Sequence, residues 1–305
     1  RKGKLDKLAE KVAAHDKLVE AARAEIAKVD ARIDAMRAKY AADPEFQKHE
    51  ALLDNGIDLA RLTYPEVRTL RCQMQYIFQD PYSSLNPRMT VANIIGEGLL
   101  AHKYCKKANE RMHEEILQTM EDCGLAPYFL HRYPHQFSGG QRQRIGIARS
   151  LAVHPKFVVC DEAVSALDVS IQSQIINLLQ DLKEQQHLTY LFITHDLSVV
   201  KYISDRIGVM YLGNLVELAD SQEIFDHPMH PYTEALLESI PTTEEKRDLA
   251  VLEGDIPSPV NPPKGCKFHT RCKYCTEICT HVVPDWEEVT PNHFVACHHK
   301  LHTNE

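Results

Sequence analysis

Phe137-Ser138-Gly139-Gly140-Gln141-Arg142-Gln143-Arg144 is the stretch that decides the fold. A Ser-Gly-Gly run that ends in Gln and opens a long helix offers free backbone N–H groups, a hydroxyl and the positive end of a helix. That combination binds a phosphate. Downstream, the apolar run Phe157-Val158-Val159-Cys160 ends in two acids, Asp161-Glu162, and a second run, Tyr190-Leu191-Phe192-Ile193, ends in Thr194-His195. Runs of this kind read as parallel strands buried on both faces. A phosphate-binding helix start followed by two strands tipped with acids and a histidine is half of a nucleotide hydrolysis site. Paired acids at a strand end also serve as helix caps, but Ser165-Ala166-Leu167-Asp168 after them favours chemistry.

The rest of the chain is organised around these strands. Residues 5–42 hold no Gly or Pro and read as one helix, which Asp43-Pro44 ends because Pro disfavours helical geometry in the residue before it. Residues 74–79 read as a short strand. Residues 90–150 are mostly helical, broken near Gly124 and Pro134, and residues 170–186 form the helix of a βαβ unit between strands 157–161 and 189–194. Residues 206–219 look like two strands hinged at Gly213-Asn214, a hairpin cue. The remainder is Pro- and Cys-rich and less regular. The expected domains are a helical, coiled-coil-like segment over 1–50, a nucleotide-site domain over 51–225 with a helical subdomain at about 80–150, and an extension over 226–305.

Composition sets limits on function. The net charge of −8 over 305 residues argues against a nucleic-acid surface, which shows a basic face. No apolar run approaches the ~20 residues of a membrane helix, and no signal peptide opens the sequence. Nine cysteines in such a chain suggest a reducing compartment, where thiols serve metals or cores. Any membrane contact is therefore expected through a partner.

Five motifs in order resemble the ABC-transporter ATPase family. Phe137 to Gln141 is similar to its signature motif, with Phe where Leu is commonest. Asp161-Glu162 resembles the Walker B end, Ser165 to Asp168 the D-loop, His195 the switch histidine, and Gln79 in Ile77-Phe78-Gln79-Asp80-Pro81 the Q-loop. The resemblance covers residues 57–305 and implies an α/β fold: a RecA-like parallel-sheet core with a helical signature subdomain. It implies ATP and Mg²⁺ as ligands, with the site shared between two subunits. Ser138, Gly139, Gly140 and Gln141 would meet the γ-phosphate of a nucleotide held by the partner. Asp161 would hold Mg²⁺, Glu162 would take a proton from the attacking water, and His195 would hold Glu162 and the water in place. Gln79 would sense the metal and the γ-phosphate, and Asp168 would link the two sites.

The segment Tyr76 to Val91 and the tail His227-Pro228-Met229-His230-Pro231-Tyr232-Thr233, with Leu236 to Pro241 after it, resemble the dipeptide/oligopeptide importer branch. The branch implies a motor on the cytoplasmic face of the plasma membrane. Its partners would be a second ATPase subunit, two transmembrane permease subunits and, indirectly, an extracytoplasmic substrate-binding protein, with no nucleic acid. Residues 80–90 are the expected docking surface for the membrane subunits. Two rivals are a non-hydrolysing subunit that only donates its signature, and a chromosome-maintenance or DNA-repair ATPase. Intact Glu162 and His195 count against the first, acidity and the tail against the second.

No G-x-x-x-x-G-K-[S/T] occurs in the 305 residues. That loop carries the lysine that reaches the β- and γ-phosphates. The expectation is an N-terminally truncated sequence, able to complete a partner's site but not its own, and inactive alone.

Cys266, Cys272, Cys279 and Cys297 have the spacing C-x5-C-x6-C-x17-C, with Cys275 as an extra thiol that also creates C-x2-C-x3-C. Four thiolates can hold zinc or an iron–sulfur cluster, or they can stay unmetallated. The resemblance implies a four-iron four-sulfur cluster. Cys72, Cys105, Cys123 and Cys160 are scattered and read as structural.

Leu5, Leu8, Val12, His15, Val19, Ala22, Ile26, Val29, Ile33, Met36 and Tyr40 recur at spacings of three and four, a narrow heptad seam. The family lacks such a helix. It reads as a coiled-coil arm inserted between P-loop and Q-loop, with a return through Asn55-Gly56-Ile57-Asp58-Leu59 and a turn near Lys2-Gly3-Lys4. The alternative is a helix lying on the ATPase surface.

Overall fold

The computed structural model describes the backbone of residues 2–51, 56, 58–105, 109–239 and 254–302, and the side chains of these except 2–15 and 48–51. The described residues form two compact units that part between Thr63 and Tyr64.

In the first unit, α1 (Lys2–Tyr40) runs 39 residues, about 58 Å at 1.5 Å per residue. From Asp16 to Tyr40 every side chain is exposed. The seam residues Val19, Ile26, Val29, Ile33, Met36 and Tyr40 are 37–59 % exposed. Leu5, Leu8, Val12 and His15 lie outside the described side chains, and the backbone of Lys2-Gly3-Lys4, near which a turn was expected, is the first turn of α1. The helix stops at Tyr40, two residues before the expected end. Asp43 then accepts the amide of Glu45 at 2.9 Å, and Pro44 opens α2 (Pro44–Ala51). Proline suits a helix start because its missing N–H would have no partner there. Asp43-Pro44 therefore ends one helix and begins another. Residues 52–55 and 57 of the expected return lie outside the described residues.

In the second unit, α3 (Tyr64–Gln73) leads into β1 (Met74–Ile77). The helical layer follows: α4 (Val91–Ala101), α5 (Glu110–Asp122) and α6 (Gly139–Leu151), with breaks at Gly124 and Pro134 as the sequence implies. Thr90 and Asn109 cap α4 and α5 through their side-chain oxygens. Then come β2 (Phe157–Asp161), α7 (Val169–Gln186) and β3 (Thr189–Ile193). The three strands form a parallel sheet in the order β1-β2-β3. Ile94, Ile95, Leu99, Met120, Ile145 and Ile147 are at most 2 % exposed and close the main core between the helices and the sheet. Each such side chain contributes about 1.5–3 kcal/mol.

One expectation fails here. The strands are buried on one face only. Val158 and Cys160 are fully buried and Tyr190 and Phe192 pack on the core, but Leu191, Ile193, Tyr76 and Phe78 are 50, 46, 36 and 49 % exposed. Side chains alternate along a strand, and the described helices cover a single face.

After α8 (Leu197–Ile203), β4 (Arg206–Tyr211) and β5 (Asn214–Asp220) form the expected hairpin, but its hinge is Leu212-Gly213. Both hinge residues have positive φ, +45° and +77°, and Asn214 already pairs with Tyr211. After α9 (Ser221–Asp226), α10 (Pro231–Glu238) and α11 (Glu277–His281), the tail, expected to be less regular, adds two strands. They are β6 (Glu287–Thr290) and β7 (His293–Val295), and β7 pairs with β5 to give an antiparallel sheet β4-β5-β7-β6. A signal was present: Pro291-Asn292 between two short polar–apolar runs is turn chemistry, and Asn292 takes φ +64°. A second core lies under this sheet, built from Ile207, Val209, Tyr211, Val216, Ile224 and Phe268.

Candidate active site

Parallel sheets present their strand ends to ligands. Here Gln79 follows β1, Asp161 closes β2 with Glu162 after it, and His195 follows β3. The strand order sets these groups side by side. Glu162 is gripped on both oxygens: Gln79 Nε2 donates to Oε2, and His195 Nδ1 lies 3.0 Å from Oε1. The histidine side chain is 73 % exposed and the glutamate 27 %. Glu162 has φ +42°, the left-handed region, which costs a residue with a Cβ on the order of 1–2 kcal/mol. Three bonds hold it there: its N–H donates to Ile193 O at 2.8 Å, and Ser165 N and Oγ both donate to its carbonyl.

Tyr76 was not foreseen in the sequence. Its hydroxyl donates to Asp161 Oδ2, and that bond raises the phenol above its usual range. The alternation of β1 signals it, since Tyr76 shares the open face with Asp161.

The Ser-Gly-Gly turn is built separately. Ser138 caps α6, accepting Gln141 N at 3.4 Å, while Gln141 Oε1 accepts Ser138 N at 3.2 Å. In this state Ser138 and Gln141 satisfy each other as a capping box. Gly139 and Gly140 supply first-turn N–H groups with no partner inside the helix. A Cβ on Gly139 would sit 3.5 Å from Leu167 Cδ2, so the helix start abuts the Ser165–Asp168 turn. A Cβ on Gly140 would fall 2.5 Å from Ile171 Cγ2, so that glycine has a packing reason of its own. Asp168 is exposed at the start of α7 and makes no side-chain cap bond. The structure joins Gln79, Glu162 and His195 directly. No hydrogen bond ties Ser138, Gly139, Gly140, Gln141 or Asp168 to them among the described residues.

Two arginines, also unforeseen, tie α6 to the segment after Gln79. Arg142 stacks over Tyr82 at 3.8 Å, with Nε donating to Pro134 O at 2.7 Å. Arg149 donates to Ser84 O at 2.5 Å. Burial lowers the pKa of Arg149, and nearby Glu97 opposes the shift.

The tail holds a second constellation. Cys266, Cys272, Cys279 and Cys297 line one small hollow together with His230 and Phe268. Cys275 is exposed and outside that lining. Burial raises the Cys266 thiol and pushes Cys272 to about 11 and Cys297 to about 12. Protonated buried thiols are inert until a cation displaces the proton. Among the described residues, no three His, Cys, Asp or Glu side chains close on one ion position. Gly265, at φ +66°, makes the fold of this loop possible: a Cβ there would lie 2.4 Å from Cys279 O, where Cys266 N bonds at 2.9 Å.

Beside the hollow, Glu217 of β5 is fully buried. It accepts Met229 N at 2.6 Å, His230 N at 3.1 Å and faces His293 Nε2 at 2.8 Å. Burial lowers His230 to about 4, with Glu217 opposing, so its imidazole is neutral near pH 7. Glu217 was not foreseen in the sequence; it pairs with buried Val209 of β4, on the face that Ile207 and Ala219 share.

Strand-end carboxylates, one of them held by a glutamine and a histidine, define a class, a nucleotide-hydrolysing α/β ATPase. The comparisons narrow it. The chain belongs to the ABC transporter family, whose profile matches residues 40–165, and the C-terminal region of oligopeptide/dipeptide transporters matches residues 216–279. It is 52 % identical over 253 residues to the oligopeptide transport ATP-binding protein AppF of Bacillus subtilis, covering 81 % of this chain and 76 % of that one. It is 47 % identical over 246 residues to the oligopeptide transport ATP-binding protein OppF of Haemophilus influenzae, covering 79 % and 74 %. Among solved structures, an ATP-binding cassette dimer bound to ADP and Pi is 27 % identical with a TM-score of 0.49, covering 55 % of this chain and 72 % of that one.

Proposed function

We propose that this chain is the ATP-hydrolysing motor subunit of an importer for peptides, working as a pair with a second ATPase subunit on two transmembrane permeases. The observation that carries it is the Gln79–Glu162–His195 chain of hydrogen bonds, in a sequence whose tail matches the oligopeptide/dipeptide region. ATP is the substrate, and Mg²⁺ supplies charge neutralisation between its phosphates. Glu162 takes a proton from the attacking water at a carboxylate oxygen. His195 keeps that carboxylate aimed, and Gln79 reports on the same group to the segment 80–90, where the permeases would dock. Asp161, whose carboxylate accepts the Tyr76 hydroxyl here, would hold Mg²⁺. Ser138, Gly139, Gly140 and Gln141 meet the γ-phosphate of the partner's nucleotide, and Asp168 lies beside them to relay between the two sites. No described helix is long and apolar enough to cross a membrane, which suits a peripheral subunit. An extracytoplasmic substrate-binding protein would deliver the peptide.

The tail fits a metal centre. Four thiols, Cys279 buried and Cys266, Cys272 and Cys297 half-buried, line one hollow as a sulfur donor set, and donors of this kind suit zinc or an iron–sulfur cluster. Cys266, Cys272, Cys279 and Cys297 would hold such a cluster, which supplies one-electron chemistry or a structural clamp.

The decisive experiment is reconstitution with a permease pair and partner. Peptide uptake and ATPase activity that rise together support the reading; ATP turnover unaffected by permeases, with no peptide uptake, would overturn it.

A further inference from the structure

We infer that His230 donates its Nε2–H to the metal centre held by Cys266, Cys272, Cys279 and Cys297, and so sets that centre's reduction potential. The inference rests on the cluster reading of the hollow.

Four histidines line the hollow, and three are otherwise engaged. His269 Nδ1 meets Cys266 O at 2.8 Å, His298 Nε2 meets Val282 O at 3.0 Å, and His299 Nε2 meets Thr276 Oγ1 at 2.6 Å. His230 differs. It is 1 % exposed, and its Nε2 is buried with no hydrogen-bond partner among the described residues. Its Nδ1 accepts the amide of Tyr232 at 3.0 Å, so the proton of the neutral ring sits on Nε2. A buried donor left without an acceptor is costly, and Cys266, Cys272, Cys279 and Cys297 line the same hollow as His230.

The ring is also held. The backbone amides of Met229 and His230 both end on Glu217, which His293 anchors from β7. Phe268 lies against the imidazole, ring centres 5.9 Å apart. Phe268 also makes the wall apolar, so charge on sulfur is poorly solvated and one donor weighs more. Reduction adds negative charge to such a centre. A hydrogen bond to its sulfur stabilises the reduced form and raises the potential. His230 is thus a tuning residue and need not be a ligand.

The test uses the anaerobically purified protein and three readouts: iron and sulfide content, midpoint potential, and pulsed paramagnetic resonance of the reduced centre with ¹⁵N-labelled histidine. His230→Asn keeps an oxygen for the Tyr232 amide and removes the distal donor. His230→Gln places an amide N–H near the Nε2 position. The expected result is unchanged iron in both, a more negative potential in Asn, and a potential near the parent's in Gln. Because His299 N also donates to Cys297 Sγ at 3.3 Å, the expected signature is a weak histidine nitrogen coupling in the unmutated protein that the Asn variant lacks. A parent without iron, or with zinc in its place, would overturn the cluster reading and this inference with it. An iron-loaded parent with no histidine coupling, or an Asn variant with full iron and an unshifted potential, would overturn this inference alone.

Discussion

His195 Nδ1 and Glu162 Oε1 lie 3.0 Å apart, joining the ends of neighbouring strands β2 and β3 across 33 positions of sequence. Gln79 holds the other oxygen of the same carboxylate. With both oxygens engaged and the backbone at φ +42°, Glu162 is placed before any substrate arrives. Preset geometry of this kind removes orientational entropy from the chemical step.

Replacing Glu162 with Gln keeps the size of the side chain and removes the base. In the assembled transporter, hydrolysis should fall by roughly 10²–10⁴ while ATP binding survives. Single-turnover kinetics with a nucleotide-binding assay would check it. Turnover within twofold of the parent would take Glu162 out of the mechanism.

Tyr76→Phe frees Asp161 from its hydroxyl partner while leaving the apolar face intact. The Mg²⁺ concentration needed for half-maximal turnover should drop, because the metal no longer competes with a hydrogen bond. A metal titration of both proteins reads this directly, and an unchanged or raised requirement would contradict it.

Gly139 and Gly140 should separate function from packing. Gly139→Ala meets only ordinary contact at Leu167, so melting should barely move while ATP-dependent pairing weakens. Gly140→Ala drives a methyl to 2.5 Å from Ile171 and should lower stability by about 1–3 kcal/mol through overpacking. Thermal melts alongside a nucleotide-dependent pairing assay would show the split; equal destabilisation by both changes would deny it.

Glu217→Ala strands two backbone amides and His293 in a place without water. Loss of one partner of a buried pair costs about 3–5 kcal/mol, so the tail sheet should loosen first. Hydrogen exchange across β5 and β7 should accelerate well ahead of β1 to β3. Uniform protection in the variant would mean the network carries little of the fold.

Cys123 and Cys160 are pushed by burial from 9.0 to about 12. Above pH 9 the unfolded chain has lost these protons and the folded chain has kept them. The stability present below pH 9 is therefore lost as pH rises toward 12, by about 1.4 kcal/mol per unit for each thiol. Urea unfolding at pH 8 and pH 10.5 would measure the slope, and a flat profile would refute it.

The sequence by itself determined the local parts. The Ser138 cap, the apolar strand runs, the acids after β2, the histidine after β3 and the 2–40 helix are all written in short-range patterns, because caps, periodicity and turn residues act within a few positions. Their boundaries moved by a residue or two at Tyr40 and at Leu212-Gly213, where a neighbouring cap or a positive φ outweighed propensity. Tertiary structure alone decided what lies far apart in sequence. It set Tyr76 on Asp161, Arg142 on Tyr82 and Glu217 beside His293. It left one face of β1 to β3 uncovered by described residues, carried β7 to the edge of β5, and gathered four cysteines with His230 around one hollow while leaving Cys275 outside. Those placements follow from strand order and from which face the helices cover, and neither is encoded in the spacing of any single motif.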